Sequence, residues 1–209
     1  MSVGGRALAL GFADSSISTV DQFVRRGLKN LKTFSTVDGK LDSDLLDKHQ
    51  LSCYELAFCT AELAAAREVC NYARKIGDDD SLAADTALGF TAEAITSALQ
   101  RLLARATDLG LDVVELSALY DDSAINALRS QYGSAEFLAR IGLAVTERGS
   151  SRLPTLLSDD KEMVRDMFAR FGADVVDPLA EKIHRHDLDI PDEILKQAAE
   201  LGCFGISIP

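Results

Sequence analysis

From Leu45 to Ile76 the chain contains neither proline nor glycine, and apolar residues return every three or four positions: Leu46, Leu51, Tyr54, Phe58, Leu63, Ala66, Val69, Cys70 and Ala73. This spacing predicts one amphipathic helix of more than about eight turns. A helix of that length has a stripe too long to bury alone. The alanines Ala57, Ala61, Ala64, Ala65 and Ala66 let other helices approach closely, as the central helix of a bundle requires. Gly77 and the acidic run Asp78–Asp80 end the segment.

The flanking sequence continues the helical pattern. Ser18-Thr19-Val20-Asp21 is a capping sequence, followed by Val20, Phe23, Val24, Leu28 and Leu31 at helical spacing over about four turns. Asp38-Gly39 marks a turn, and Asp42 or Ser43 caps the long helix after it. A further helix is expected from Ser81 to about Leu109, with Gly89 inside it at a cost of roughly 1 kcal/mol and Gly110 at its C-terminal cap. Val113–Tyr120 fits a short helix or an extended linker. Asp121-Asp122-Ser123 opens a helix reaching Gly149, with Gly133 as a possible interruption. Period-two alternation is confined to a hint in Cys203–Ile208, so the expected fold is all-α, a bundle of about four long helices. Residues 149–157 combine Gly149, two serines and Pro154 and form the best domain boundary, with 150–157 as the linker. It separates a bundle at 16–149 from a C-terminal segment at 158–209.

Composition narrows the function. With 47% hydrophobic residues, the 209-residue chain can bury a real core. Its 33 acidic against 22 basic residues give a net charge of −11, which opposes phosphate neutralisation and argues against nucleic-acid or anionic-membrane partners. Residues 1–15 read as a flexible tail, with a first buried segment as the other reading. Their apolar run Ala7–Ala13 is at the short limit for a signal sequence, and no run of about 18 apolar residues predicts a membrane span. Four cysteines, three of them on one predicted helix, do not form a disulfide framework, so the cytoplasm is the expected compartment.

No catalytic, cofactor-binding or metal-binding residue is assigned. His49 and Cys53 are four apart and could share a helix face, but Cys59 is rotated away, and buried free cysteines are the simpler reading. His184 and His186 point in different directions and suit a polar helix end. Asp78-Asp79-Asp80, Asp121-Asp122 and Asp159-Asp160 each precede or open a helix, where capping accounts for them. The sequence has no GxGxxG, GxxxxGK[ST], GxSxG or HExxH motif.

Leu157–Pro209 is more specific. Ser158 caps a helix with Asp159, Asp160 and Glu162 in its first turn, and the stripe Val164, Met167, Phe168, Phe171, Val175, Leu179 and Ile183 follows. Pro178 predicts a kink or break near 174–178. Pro191 opens a second helix to Leu201, with Gly202 after its end and Gly205 beyond. This order, read as VRDMFARFGADVVDPLAEKIHRHD, IPDEILKQAAELG and FGISIP, resembles the start of the N-terminal α-domain of the flavin-dependent acyl-CoA dehydrogenases. In the family a Glu-Glu-Tyr-Gly-Gly-like motif comes next, so the resemblance implies a fragment, or an isolated domain, of a longer flavoprotein, in a subgroup with a long helical N-terminal extension. That extension is similar in kind to the family's own C-terminal helical bundle.

The resemblance implies an enzyme that takes a proton from Cα of an acyl-CoA with a carboxylate base and passes a hydride from Cβ to FAD. Electrons would then pass to an electron-transfer flavoprotein. It also implies a homo-oligomer. The base and most flavin contacts belong to later domains, so the fragment is expected to be structural and not to hold FAD alone. The alternative is a free-standing acidic helical bundle acting as an interaction or regulatory module.

Overall fold

The computed structural model describes residues 3–77, 79–150 and 152–205. It is all-α apart from one two-residue hairpin. The chain divides into two compact units, Met1–Pro154 and Thr155–Pro209.

The first unit begins with α1 (Val3–Phe34). The expected flexible tail is helix instead over its described residues, and Ala9, Leu10 and Ala13 are buried. The expected start at Ser18–Asp21 is likewise interior, with the Thr19 hydroxyl donating to the Ser15 carbonyl at 2.9 Å. Burial of Ile17, Val20, Val24 and Leu31 continues the same stripe along one helix. Asp38 and Gly39 both have positive φ, the geometry of a type I′ hairpin turn, and join β1 (Thr36–Val37) to β2 (Lys40–Leu41) in antiparallel register.

The expected single helix from Leu45 is two. Asp42 caps α2 (Ser43–Asp47) by accepting from the Leu45 N–H at 2.9 Å, and α3 (Gln50–Ile76) starts afresh after His49, whose φ of −107° and ψ of 18° leave the helical region. Over its first half the buried face of α3 has a different phase from the predicted one, while Leu63, Ala66, Cys70 and Ala73 are buried as predicted. Ser52, Leu56, Cys59, Leu63, Ala66, Cys70, Ala73 and Ile76 face inward, whereas Leu51, Tyr54 and Phe58 are exposed. Helix α3 has two apolar faces, and α1 and α4 pack on the one that carries Leu56, Leu63 and Ile76.

Helix α4 (Ser81–Ala104) lies at the centre, packed by α1, α3, α5, α6 and α7. Buried residues occur on most of its circumference, among them Leu88, Ile95, Leu99 and Leu102. It ends five residues earlier than expected near Leu109, because Arg105 (φ −121°) unwinds the helix. The turns after it close at Gly110 (φ +59°), where the Leu111 N–H reaches the Ala106 carbonyl at 2.8 Å and the Gly110 N–H that of Thr107 at 3.1 Å. That is the paired bonding of a Schellman ending. Asp112, Asp122 and Ser134 then cap α5 (Val113–Tyr120), α6 (Ser123–Tyr132) and α7 (Ala135–Arg148), each through side-chain bonds to backbone N–H groups. Val113–Tyr120 is therefore helix rather than linker, and Gly133 separates α6 from α7.

Gly89 is more than a tolerated weak point. A Cβ there would sit 3.3 Å from Ile141 Cδ1 and 3.4 Å from Leu138 Cδ2, so its missing side chain lets α7 lie against α4. Replacing Gly89 with valine is expected to destabilise the first unit by about 1–3 kcal/mol through overpacking, read from urea denaturation with an unchanged slope.

The second unit contains α8 (Asp159–Phe171), a π-helical turn (Gly172–Val176), α9 (Asp177–His186) and α10 (Asp192–Glu200). The kink expected near Pro178 is this wide turn rather than a break. Proline removes an N–H and would crowd the carbonyl four residues back; the turn bonds five residues back instead, from the Asp177 N–H to the Gly172 carbonyl. Ile206 and Ile208, the end of the strand hint, lie outside the described residues.

Candidate functional site

The C-terminal segment carries the most information about function. Ser158 precedes α8, whose first turn holds Asp159, Asp160 and Glu162, placing carboxylates at the positive end of the helix dipole. The Asp160 carboxyl is held below its ordinary range by the Ser158 side chain and then by the Lys161 backbone N–H. At the other end, Asp187 adopts φ +51° and closes α9, with the Leu188 N–H bonded to the Ile183 carbonyl at 3.0 Å. His184 and His186 fall in that last turn, where imidazoles complement the dipole.

These helices are amphipathic but largely uncovered. Met163, Val164, Met167, Leu179 and Leu195 are exposed, Phe168, Phe171, Val175 and Ile183 are half-buried, and Ala198 alone among the described residues of this unit is buried. The unit thus presents apolar helix faces rather than a pocket lined by polar groups.

The first unit contains the remaining candidates. His49 sits at the N-terminal end of α3 with its ring centroid 6.2 Å from that of Phe34. Cys53 is half-buried beside Leu28, Leu31 and Leu46, in an apolar groove of about 640 Å³. Cys59 and Cys70 are buried; the Cys59 thiol faces the Ala98 carbonyl at 3.7 Å, and Cys70 Sγ lies 3.4 Å from Thr91 Oγ1. Burial pushes the Cys59 thiol up to about 12 and raises that of Cys70 as well. All four cysteines are free, and no three His, Cys, Asp or Glu side chains gather as a metal site among the described residues. No helix among the described residues is long and apolar enough to cross a membrane.

The acidic runs separate by role. Asp122 accepts from the Ala124 and Ile125 N–H groups at 3.0 and 3.1 Å. Asp80 caps α4 through the Leu82 N–H at 3.0 Å and also accepts from Arg148 Nη2 at 2.7 Å, tying the start of α4 to the end of α7. Asp78 lies outside the described residues. A polar groove of about 530 Å³ between α4 and α6 holds Arg129, whose Nε donates to Thr96 Oγ1 at 3.2 Å and whose guanidinium lies 3.8 Å from the Tyr120 ring centre. Sequence reasoning missed this groove, because its residues come from two helices and form no motif.

A sequence model of the acyl-CoA dehydrogenase N-terminal domain matches residues 158–209. These residues are similar to that domain, as their order suggests. A curated relative, (2S)-methylsuccinyl-CoA dehydrogenase from Cereibacter sphaeroides, is 27% identical over 213 aligned residues, covering 96% of this chain and 38% of its own length. The similarity therefore includes the helical region ahead of residue 158, and the chain spans less than two fifths of that relative.

Two measurements check this chemistry. In the native protein Cys59 and Cys70 are expected to resist a thiol reagent that modifies Cys53 and Cys203, with all four reacting once urea is added. Arg148 lowers the Asp80 carboxyl, first by its hydrogen bond, so the ionised form is favoured by folding. Its contribution is present above the unfolded value, near about 3.9, and is lost as pH falls through the lower folded value. Asp80→Ala is expected to cost about 1 kcal/mol at pH 7 as a lost cap, and the gap to the unsubstituted protein should narrow on acidification toward pH 3.

Proposed function

We propose that this chain is the N-terminal part of a longer FAD-dependent acyl-CoA dehydrogenase that desaturates an acyl-CoA thioester between Cα and Cβ. The observation that carries the reading is the match over residues 158–209, which coincides with the amphipathic α8–α10 segment. The chain's own contribution is structural. Its apolar faces at Met163, Met167 and Leu179 provide packing surface for the parts of the enzyme that hold flavin and acyl chain, and no residue of this chain acts on the substrate.

The complete enzyme passes electrons to an electron-transfer flavoprotein, works in the cytoplasm and is a homo-oligomer. Methylsuccinyl-CoA is the first acyl-CoA to test, because the relative named for it aligns with the helical extension as well as with the family segment. A free-standing interaction module would explain the first unit but would leave the match over 158–209 without a reason.

The test is spectroscopic. A longer protein that contains this chain should purify yellow, and its flavin should bleach anaerobically on adding an acyl-CoA substrate, while the 209-residue chain should be colourless. A longer protein without flavin would sink the enzyme reading. FAD held tightly by the present chain would overturn the structural role.

A further inference from the structure

The outer face of α3 is a long apolar surface that stays exposed among the described residues of the first unit. At 100° per residue, Tyr54, Ala57, Phe58, Ala61, Ala64 and Ala65 fall on one side of the helix, and all six are exposed. Tyr54 and Phe58 are 55% and 39% exposed, their ring centroids 4.6 Å apart. The acidic residues that interrupt this stretch, Glu55 and Glu62, turn aside to Arg101. From Gln50 to Glu68 the face runs for roughly 27 Å at about 1.5 Å per residue.

Large and small side chains are segregated along this face. The two aromatic rings lie before Ala61, and Ala64 and Ala65 lie after it. Such a face is complementary to itself when reversed. We propose that it is an isologous interface with a second copy of this chain, the two α3 helices running antiparallel about a two-fold axis at Ala61. Each residue before Ala61 then meets one an equal distance after it on the other copy. Phe58 meets the partner's Ala64, Ala57 meets the partner's Ala65, and Tyr54 comes level with the partner's Glu68.

Charge follows the same symmetry. Glu68, exposed past the alanines, is brought to the end of the other α3 where Lys32 flanks Cys53 in the apolar groove. The groove walls Leu28 and Leu41, 42% and 59% exposed, widen the patch toward the roughly 800 Å² per partner of a standard interface.

Sedimentation equilibrium of the 209-residue chain over a range of concentrations tests the proposal. A dimer is expected, and Ala61→Arg, which sets two guanidinium groups on the axis, should weaken it at least about tenfold with an unchanged circular dichroism spectrum. Ala61→Cys should give a disulfide-linked dimer on mild oxidation, since the axis brings the two copies of that residue together, and exposed Gly142→Cys on α7 should not. The cysteine pair keeps the test decisive if the arginine variant fails to fold. A chain that is monomeric throughout, and whose Ala61→Cys variant stays unlinked, would assign the face to another occupant and overturn the proposal. A dimer indifferent to Ala61→Arg and unlinked in the Ala61→Cys variant would overturn it equally.

Discussion

The first unit depends on the burial of α4. Its apolar residues cover so much of its circumference that no single neighbour can remove them from water, and α1, α3, α5, α6 and α7 each pack against a different sector. Burying one leucine or isoleucine side chain contributes about 1.5–3 kcal/mol, so Leu88, Ile95, Leu99 and Leu102 together outweigh any ion pair on the surface of this unit. The polar interactions set direction instead. Asp80 ties the start of α4 to Arg148, and Arg101 near its end is held by Glu55 across the α3 contact. These pairs select which neighbour meets which sector.

The second unit is organised by the opposite condition. Its helices have well-separated apolar and charged faces, but almost none of the apolar side is covered. Local interactions support it: Arg185 with Glu181, Arg165 with Glu162, and Gln197 with Glu193, all three or four residues apart. Such pairs contribute a few tenths of a kcal/mol each, too little to hold helices of this length in isolation. The stripe is left exposed along the residues that match the acyl-CoA dehydrogenase N-terminal domain. A surface of this kind is recognised by the order of its apolar residues and prolines, whereas a catalytic site is recognised by converging polar groups. This difference explains how the sequence could indicate a family without indicating a single reactive residue.

Features governed by neighbouring residues were legible in the sequence. Caps at Asp80 and Asp122, the Asp38-Gly39 turn, the ending at Gly110 and the disturbance ahead of Pro178 all follow from side chains acting within a few positions. Features governed by packing were not. The phase of the first half of α3 could not be read because Leu51, Tyr54 and Phe58 make as good a stripe as Ser52, Leu56 and Cys59, and only packing against α1 and α4 decides between them. The start of α1 was hidden for a similar reason: Ala7–Ala13 is apolar but short, and its burial depends on contacts far along the chain, such as Arg74 with Asp14 and the Leu10 carbonyl. Gly89 read as a weakness because the sequence does not show Ile141 and Leu138 resting on it. The polar groove around Arg129 needed two helices side by side before it existed.

The wide turn at Gly172–Val176 also bears on how this segment can change over time. Relative to an ordinary helix it contains one surplus residue, and that surplus gives Pro178 room within a continuous rod. Deleting one residue there would tighten the turn and press the proline ring into the backbone above it; replacing the proline alone would leave a wide turn with nothing to accommodate. The deletion is unfavourable while the proline remains. A lineage that keeps Pro178 is therefore expected to keep the surplus residue, even where the surrounding surface residues drift.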